Sequence, residues 1–325
     1  MPGIGGRHGP VARRVEWPTL ALLVTVHGGW IGVLAMAGLL GPLVAILMLV
    51  PILVLHASLQ HEVIHGHPFR DQRLNDLMGA LPVGLFVPYE RFRDTHLSHH
   101  FDPNLTDPYD DPETNYLDGM AWDRMSRSTR TVWRLNNTLL GRILIGPVLS
   151  NLRFWASEFR ALPDSPGVRR AWALHGIGLV PVIAFILWSS MPLWAYFISA
   201  WLGAGVLRIR TFLEHQADEH ARARSCIVED RGFLAFLFLN NNLHALHHAR
   251  PQLAWYDLPK AFAAERDVVL SRNGGYRFSN YREVFGRYLL RAKDPVAHPL
   301  WNSGNRIRPV VARKAAKAER QTEIA

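Results

Sequence analysis

Two long stretches of the chain, residues 18–60 and 171–207, contain no Asp, Glu, Lys or Arg. A membrane-spanning helix needs about 20 apolar residues, so each stretch is long enough to cross a bilayer twice. Turn-forming residues near the middle of each stretch, Gly41-Pro42 and Ser189–Pro192, divide it into a hairpin. The pattern therefore predicts four membrane spans, near residues 18–40, 42–60, 171–189 and 192–209.

Neither hairpin turn carries a charge, so the Lys and Arg residues lie at the other ends of the spans. The positive-inside rule then predicts that both termini and the polar segments are cytoplasmic. We expect an all-α fold, with four transmembrane helices arranged as two hairpins and a helical cytoplasmic cap. The expected divisions are a cytoplasmic arm at 1–17, a single membrane domain at 18–301 and a basic tail at 302–325.

Two other interpretations of the apolar stretches are a soluble protein with buried hairpins and a cleaved signal peptide. Soluble helices of this length rarely lack a charged face. The first stretch also continues to residue 60, well beyond the length of a signal peptide. Segments 77–89 and 232–239 are apolar but too short to span, so they lie either at the membrane interface or in the core of the cap.

The formal net charge of +9 would suit a nucleic-acid-binding protein. However, 49% of the residues are hydrophobic and eleven are tryptophan, which fits a membrane surface better. We therefore expect membrane lipid, and no nucleic acid, as a partner. The single cysteine, Cys226, excludes a disulfide or an iron–sulfur cluster built within the chain.

The sixteen histidines are clustered rather than scattered. On a helix, positions i, i+3 and i+4 share one face, and this spacing occurs in HEVIHGH, RDTHLSHH and NNNLHALHH. HEVIHGH and the lone histidine of FLEHQ follow the predicted second and fourth spans, so both reach the same layer. The candidate metal ligands are His61, His65, His96, His99, His100, His215, His244, His247 and His248.

Imidazole suits zinc, copper, iron and nickel. Nine ligands are too many for one tetrahedral zinc but enough for two metals with open positions. His67 lies about 240° from His61 on a continuing helix, so it is a less certain ligand unless Gly66 ends the helix. The isolated histidines on apolar faces are expected to be core residues: His27, His56 and His175.

A zinc metalloprotease is the alternative for HEVIHGH, because His61-Glu62-x-x-His65 matches the helical H-E-x-x-H motif. Such an enzyme needs one further ligand and would leave the other histidines without a role. Membrane zinc proteases pair this motif with L-D-G in an apolar span, whereas Leu117–Gly119 lies in a polar loop here. The pattern favours the larger site.

These motifs resemble the integral-membrane fatty acid desaturase and hydroxylase superfamily over residues 18 to about 260. Its three histidine boxes, H-x3-H, H-x2-H-H and H-x2-H-H, match the clusters in order and spacing, and His215 matches an additional histidine ligand. The resemblance implies a cytoplasm-facing centre of two iron ions that uses O₂ and two supplied electrons. Such a centre removes hydrogen from an unactivated CH₂ group.

The resemblance implies a fatty acyl desaturase acting on membrane lipid or an acyl thioester. A hydroxylase or ketolase of a fatty acyl, alkane or carotenoid chain on the same scaffold is the alternative. Fused members of the superfamily carry a cytochrome b5 domain marked by H-P-G-G, but here Leu300 follows His298-Pro299. An external electron donor, ferredoxin or cytochrome b5 with its reductase, is therefore expected.

Acidic side chains are expected to orient the imidazoles through their second ring nitrogen. Adjacency in the sequence indicates four of them: Glu62, Asp94, Glu214 and Asp218. In this interpretation Glu62 supports a ligand and is not a general base. Asn240–Asn242 precede the third box and are predicted to cap its helix, with a bridge to water on a metal as the alternative.

Overall fold

The structure is a computed structural model that describes residues 15–101 and 104–301. Helices make up most of this part of the chain, as predicted. They are α1 (Trp17–Ala35), α2 (Ala37–Ile64), α3 (Gln72–Gly79), α4 (Tyr89–Phe101), α5 (Gly119–Arg124), α6 (Arg127–Asn136), α7 (Leu139–Leu144), α8 (Gly146–Ala161), α9 (Pro166–Trp188), α10 (Leu193–Thr211), α11 (Phe233–Leu237), α12 (His244–Ala249), α13 (Leu258–Arg272) and α14 (Tyr281–Tyr288), with a 3-10 turn at Ala221–Arg224. Strands β1 (Ile227–Val228) and β2 (Arg277–Phe278) pair in parallel, a small addition to the predicted all-α fold. Residues 1–14 of the predicted arm and the predicted tail lie outside the described residues.

The predicted spans correspond to α1, α2, α9 and α10. Of these, α1, α2 and α9 are long and apolar enough to cross a membrane, which indicates a membrane protein. The helix at the fourth predicted span, α10, carries Arg208 and Arg210 in its last turn. The turn of the first predicted hairpin was expected at Gly41-Pro42, but the break between the two helices comes earlier. Helix α1 ends at Ala35, α2 begins at Ala37, and Gly41 only kinks α2. Gly41 has φ of 71°, a left-handed conformation that glycine adopts without a Cβ clash.

The long helices pack through a core that includes the apolar segment 77–89. Trp30 in α1 donates from Nε1 to the hydroxyl of Tyr196 in α10 at 2.8 Å. The same hydroxyl donates to the carbonyl oxygen of Val83 at 2.7 Å. Val83 is 1% exposed, whereas Leu77 at the start of the segment is 66% exposed. The segment therefore belongs to the core for most of its length.

The second short apolar segment, 232–239, is likewise exposed at its start and buried at its end. Phe233 at the start of α11 is 66% exposed, while Leu237, Phe238 and Leu239 are buried. The buried end packs in one cluster with residues of α2 and α10. This contact connects the chain just before the third histidine box to the ends of the long helices.

Helix α7 approaches α10 very closely at Gly205. A Cβ built on Gly205 would lie 2.5 Å from the backbone oxygen of Ile143, closer than carbon and oxygen tolerate. Glycine is therefore required at this crossing. The close approach places α7 and the start of α8 beside the end of α10, where His215 follows.

Candidate metal centre

The nine candidate histidines come together in two groups. Within each group the candidate ligand nitrogens all lie within 4.8 Å of one another. The rings of His100 and His248, one from each group, stack with centroids 4.3 Å apart, so the groups are adjacent. The first group is His61, His65, His96, His100 and His247, and the second is His99, His215, His244 and His248.

The Nε2 atoms converge at distances that suit a shared metal. In the first group, those of His65 and His96 are 3.0 Å apart. In the second, Nε2 of His215 lies 2.9 Å from that of His99 and 3.1 Å from that of His244. Nitrogens bonded at right angles to one metal at about 2.1 Å would be about 3 Å apart. The spacing therefore fits a metal ion in each group.

Helix geometry explains how the ligands are presented. His61 lies in the last turn of α2, and His65 follows at its end because Gly66, with φ of 98°, turns the chain away. Helices α4 and α12 each present a triplet on one face. His215 lies beyond α10, where its backbone bridges to Ser225 and its Nδ1 is 3.3 Å from Ser225 Oγ.

Two acidic residues that adjacency does not indicate hold the histidines of α4. Glu113 Oε1 accepts a hydrogen bond from His96 Nδ1 at 2.9 Å, and Asp111 Oδ1 accepts one from His99 Nδ1 at 2.7 Å. A carboxylate on Nδ1 fixes the ring and leaves Nε2 for a metal. The signal in the sequence is the acidic run DPYDDPE at 107–113, shortly after the second box.

Asn241, next to the third box, contacts histidines of both groups. Its Nδ2 lies 3.3 Å from His61 Nε2, and its Oδ1 lies 3.2 Å from His244 Nδ1. It thus connects the two groups. The predicted capping role of Asn240–Asn242 is wrong, because Leu243 is the N-cap residue of α12 and its side chain caps nothing.

Two of the four acids indicated by adjacency lie beside a histidine. Glu62 Oε1 is 3.7 Å from His61 Nδ1. Glu214 Oε1 is 3.5 Å from His244 Nδ1, and it also pairs with Arg210 at 3.1 Å. Both carboxylates are buried. Burial raises the pKa of Glu214, and the charge of Arg210 opposes that rise.

Asp94 and Asp218 have other partners. The carboxylate of Asp94 is 45% exposed and pairs with two arginines of α4. It precedes His96 by two residues, which places it about 200° away around the helix. Asp218 lies 3.6 Å from His220, an exposed histidine outside both groups. Adjacency in the sequence therefore misplaced both acids.

The other histidines that the structure describes lie outside the two groups. His67 Nδ1 is 2.8 Å from Glu16 Oε2, which holds its ring at the start of α1. The histidines expected to be core residues also lie apart from the groups: His27, His56 and His175.

The L-D-G sequence, which a membrane zinc protease would use at its metal, has a structural role here, because its Asp118 is the N-cap of α5.

The charge state of the rings suits metal binding. Burial, reinforced by neighbouring imidazoles, lowers the pKa of His65 to about 2 and that of His100 to about 3. Neutral imidazole is the form that binds a metal. Burial also lowers the pKa of His99, but Glu113 and Asp111 outweigh it and raise the pKa to about 9. These carboxylates stabilise positive charge at His99, which a metal on Nε2 can carry in place of a proton.

Within the two groups, Nε2 of His248 is buried and has no hydrogen-bond partner among the described residues, as is also the case for His56 and His67 outside them. A buried polar atom without a partner is unfavourable unless something else binds it. Together with the short Nε2–Nε2 distances, this indicates that the two groups could hold metal ions, and imidazole ligands are consistent with iron.

The model of the fatty acid desaturase family matches residues 36–280, a range that contains all nine histidines. The chain belongs to the fatty acid desaturase family. One relative is the sn-1 acyl-lipid omega-3 desaturase (ferredoxin) of Nostoc sp. (strain 36). It is 24% identical over 262 residues, which cover 75% of this chain and 68% of the relative.

Membership in the fatty acid desaturase family makes the chain a lipid desaturase and an oxidoreductase of fatty acid metabolism. It favours a lipid desaturase over the zinc metalloprotease that HEVIHGH alone would also allow. Family membership also agrees with the structure, because α1, α2 and α9 are long and apolar enough for the membrane protein that the sequence predicts.

Proposed function

We propose that this desaturase is an O₂-dependent di-iron enzyme that introduces a double bond into the alkyl chain of a membrane lipid. The observation that carries the proposal is the convergence of nine imidazoles from four separate segments in two adjacent groups. Each group would hold one iron, and the iron pair would supply O₂ activation and hydrogen removal. Asp111 and Glu113 would keep the rings of α4 oriented toward the metals.

The proposed reaction removes one hydrogen from each of two neighbouring methylene groups. R–CH₂–CH₂–R′, O₂, two electrons and two protons give R–CH=CH–R′ and two molecules of water. The electrons are proposed to come from ferredoxin, or from cytochrome b5, with a reductase. The name of the Nostoc relative includes ferredoxin, and the net positive charge of the chain would favour an acidic donor.

We also propose that α10 is a fourth span and that residues 18–301 form a single domain with two hairpins. One residue, Met36, separates α1 from α2, and Ser189–Pro192 separate α9 from α10. The ends of α2 and α10 would then share one side of the membrane. Arg208 and Arg210 would mark that side, with the termini and the metal centre, as cytoplasmic in a bacterial inner membrane.

Lipid mass spectrometry of cells that express the chain with a donor and reductase tests the activity. Loss of two hydrogens from an acyl chain is expected, with intact lipids showing which class is modified. The inactive control is the His99→Ala variant, which lacks one proposed ligand. Gain of one oxygen instead would identify a hydroxylase, and modification of acyl thioesters alone would contradict the lipid substrate.

Glu62→Gln is expected to weaken desaturation without abolishing it. Glu62 Oε2 accepts a hydrogen bond from the backbone N–H of Trp255 at 3.2 Å, and a glutamine oxygen can still accept it. The change removes the ionisable group that lies 3.7 Å from His61 Nδ1 and keeps the size of the side chain. Rates measured on a defined lipid check this, with Glu219→Gln, an exposed site, as the matched control. Complete loss in a protein that keeps its iron would give Glu62 a direct chemical role.

A further inference from the structure

His215 differs from the other eight candidate ligands, because it does not share a helix with another ligand. It lies four residues beyond Thr211, where α10 ends. Helical spacing positions the other rings, as it does for the triplets of α4 and α12. The position of the His215 ring therefore depends on the backbone of the short segment 213–217.

One edge of this segment pairs with the backbone of residues 224–226. His215 forms an antiparallel bridge with Ser225. Two backbone hydrogen bonds flank the bridge: the N–H of Gln216 donates at 2.9 Å, and the carbonyl oxygen of Glu214 accepts at 3.0 Å. Backbone groups of successive residues alternate in direction along such a pair, so the carbonyl oxygen of His215 points away from it.

Lys293 binds this carbonyl oxygen on the second edge of the segment. Its Nζ donates to the carbonyl oxygen of His215 at 3.0 Å. The side chain of Lys293 is only 8% exposed, and it forms an ion pair with Asp294. A hydrogen bond from a charged donor is stronger than one between neutral groups, and burial protects it from competition by water. Lys293 therefore anchors the backbone of a candidate metal ligand.

Two tyrosines hold the backbone on either side of His215. The hydroxyl of Tyr276 donates to the carbonyl oxygen of Leu213 at 2.6 Å, and the N–H of Ala217 donates to the hydroxyl of Tyr116 at 3.0 Å. Together with the contact at His215, these bonds hold every second residue, which is the repeat at which backbone groups of a strand point to the same side. Side chains therefore take the place of a neighbouring strand on this edge.

The side chains on this edge are bonded to one another. Nζ of Lys293 lies 3.3 Å from the hydroxyl of Tyr276, and the hydroxyl of Tyr116 donates to Oδ2 of Asp294 at 2.7 Å. The ion pair between Lys293 and Asp294 joins the two halves. A connected polar network fixes its members more firmly than separate contacts do.

The chain around Lys293 is anchored at both ends. At residue 289 the carbonyl oxygen accepts a hydrogen bond from the N–H of Leu140 at 3.0 Å. At residue 298 the N–H donates to the carbonyl oxygen of Leu117 at 2.9 Å. Lys293 therefore extends from a fixed segment, and its contact with the ligand backbone does not depend on a free chain end.

We propose that Lys293 is a positioning residue of the metal centre, because it fixes the backbone that presents His215 to the second group. It acts through the carbonyl oxygen of His215, whereas Asp111 and Glu113 act on the rings of α4. Metal–nitrogen bonds lie within about 0.2 Å of a fixed length, so a small backbone shift takes a ring out of range. This inference rests on the proposed iron centre and adds a residue to it.

The test adds iron(II) in steps to the full-length apoprotein and to Lys293→Met, which keeps a long side chain but loses the donor. Wild type is expected to bind two irons. In Lys293→Met one iron should bind as in wild type, at the first group, and the other should bind about tenfold or more weakly, the loss typical of residues that support a metal ligand. Amide hydrogen exchange at residues 212–217 of the apoprotein should become faster.

Lys260→Met, at an exposed lysine of α13, is the matched control and should change neither measurement. Lys293→Arg keeps the charge and a donor, so it should recover part of the lost affinity. His215→Ala should weaken the same iron as Lys293→Met does. Combining the two changes should cause little further loss, because Lys293 acts through His215.

Normal binding of both irons by Lys293→Met would overturn the proposal. Equal weakening of both irons with a lower unfolding temperature would also overturn it, since that pattern indicates a general loss of the fold. If Lys293→Met does not fold, Tyr276→Phe decides, because it removes the hydroxyl that holds Leu213 and should weaken the same single iron. A wild-type protein that binds no iron would contradict the proposed function alone, and the exchange measurement would then decide this inference.

Discussion

His247→Ala is expected to abolish desaturation and to lower the iron content of the purified protein. The ring of His247 lies within the first group, with centroids 4.6 Å from His61 and 4.8 Å from both His65 and His100. Its Nε2 is 3.1 Å from that of His100. Alanine removes a ligand nitrogen from a buried site, and the other two histidines of α12 belong to the second group. Elemental analysis and lipid mass spectrometry measure both effects.

His27→Ala is the matched control, because it also removes an imidazole from a helix. His27 Nδ1 contacts only the carbonyl oxygen of Leu23, four residues earlier, at 2.8 Å, and its ring lies against that of His56. Its replacement should leave iron and turnover near wild-type values. Turnover at the wild-type rate by His247→Ala or His99→Ala would contradict the ligand assignment.

The spacing of the histidines in the sequence was sufficient to find the nine rings that come together, but not their division into two groups, because α4 and α12 each contribute to both. Ligands three and four residues apart on one helix must share a face, so α4 and α12 each present three rings together. The charge-free stretches also located the four long helices. Their ends were less predictable, because α2 continues through His61 to Ile64 and bends at Gly41 instead of turning there.

The residues that hold the rings could not be found by adjacency. Asp94 is close to His96 in the sequence, but the helix places its carboxylate on another face, among arginines. Glu113 is 17 residues from His96 and reaches it because the loop after α4 folds back. Asn241 lies next to the third box, yet it also contacts His61, 180 residues away. Such contacts depend on the tertiary fold, which helical periodicity does not specify.

A second large effect is expected from a change at Asp111, which lies in the loop after α4. Asp111→Asn is expected to lower iron affinity or desaturation about 10- to 100-fold, as for other residues that orient a metal ligand. Asp111 is 3% exposed. Its Oδ1 accepts from His99 Nδ1 at 2.7 Å, and its Oδ2 accepts from the backbone N–H of Thr106 at 2.8 Å. Asparagine keeps the shape but loses the charge, and its amide can turn an N–H toward His99, which favours the wrong tautomer.

Iron titration of the apoprotein and a spectrum of the loaded protein separate orientation from folding. If Asp111 orients His99, Asp111→Asn should need more iron for saturation and should show an altered metal spectrum while it unfolds near the wild-type temperature. Asp123→Asn makes the same chemical change at an exposed site and should alter neither. A lower unfolding temperature with normal iron affinity and spectrum would mean that Asp111 only holds its loop. In that case His99 would be oriented by something other than this carboxylate.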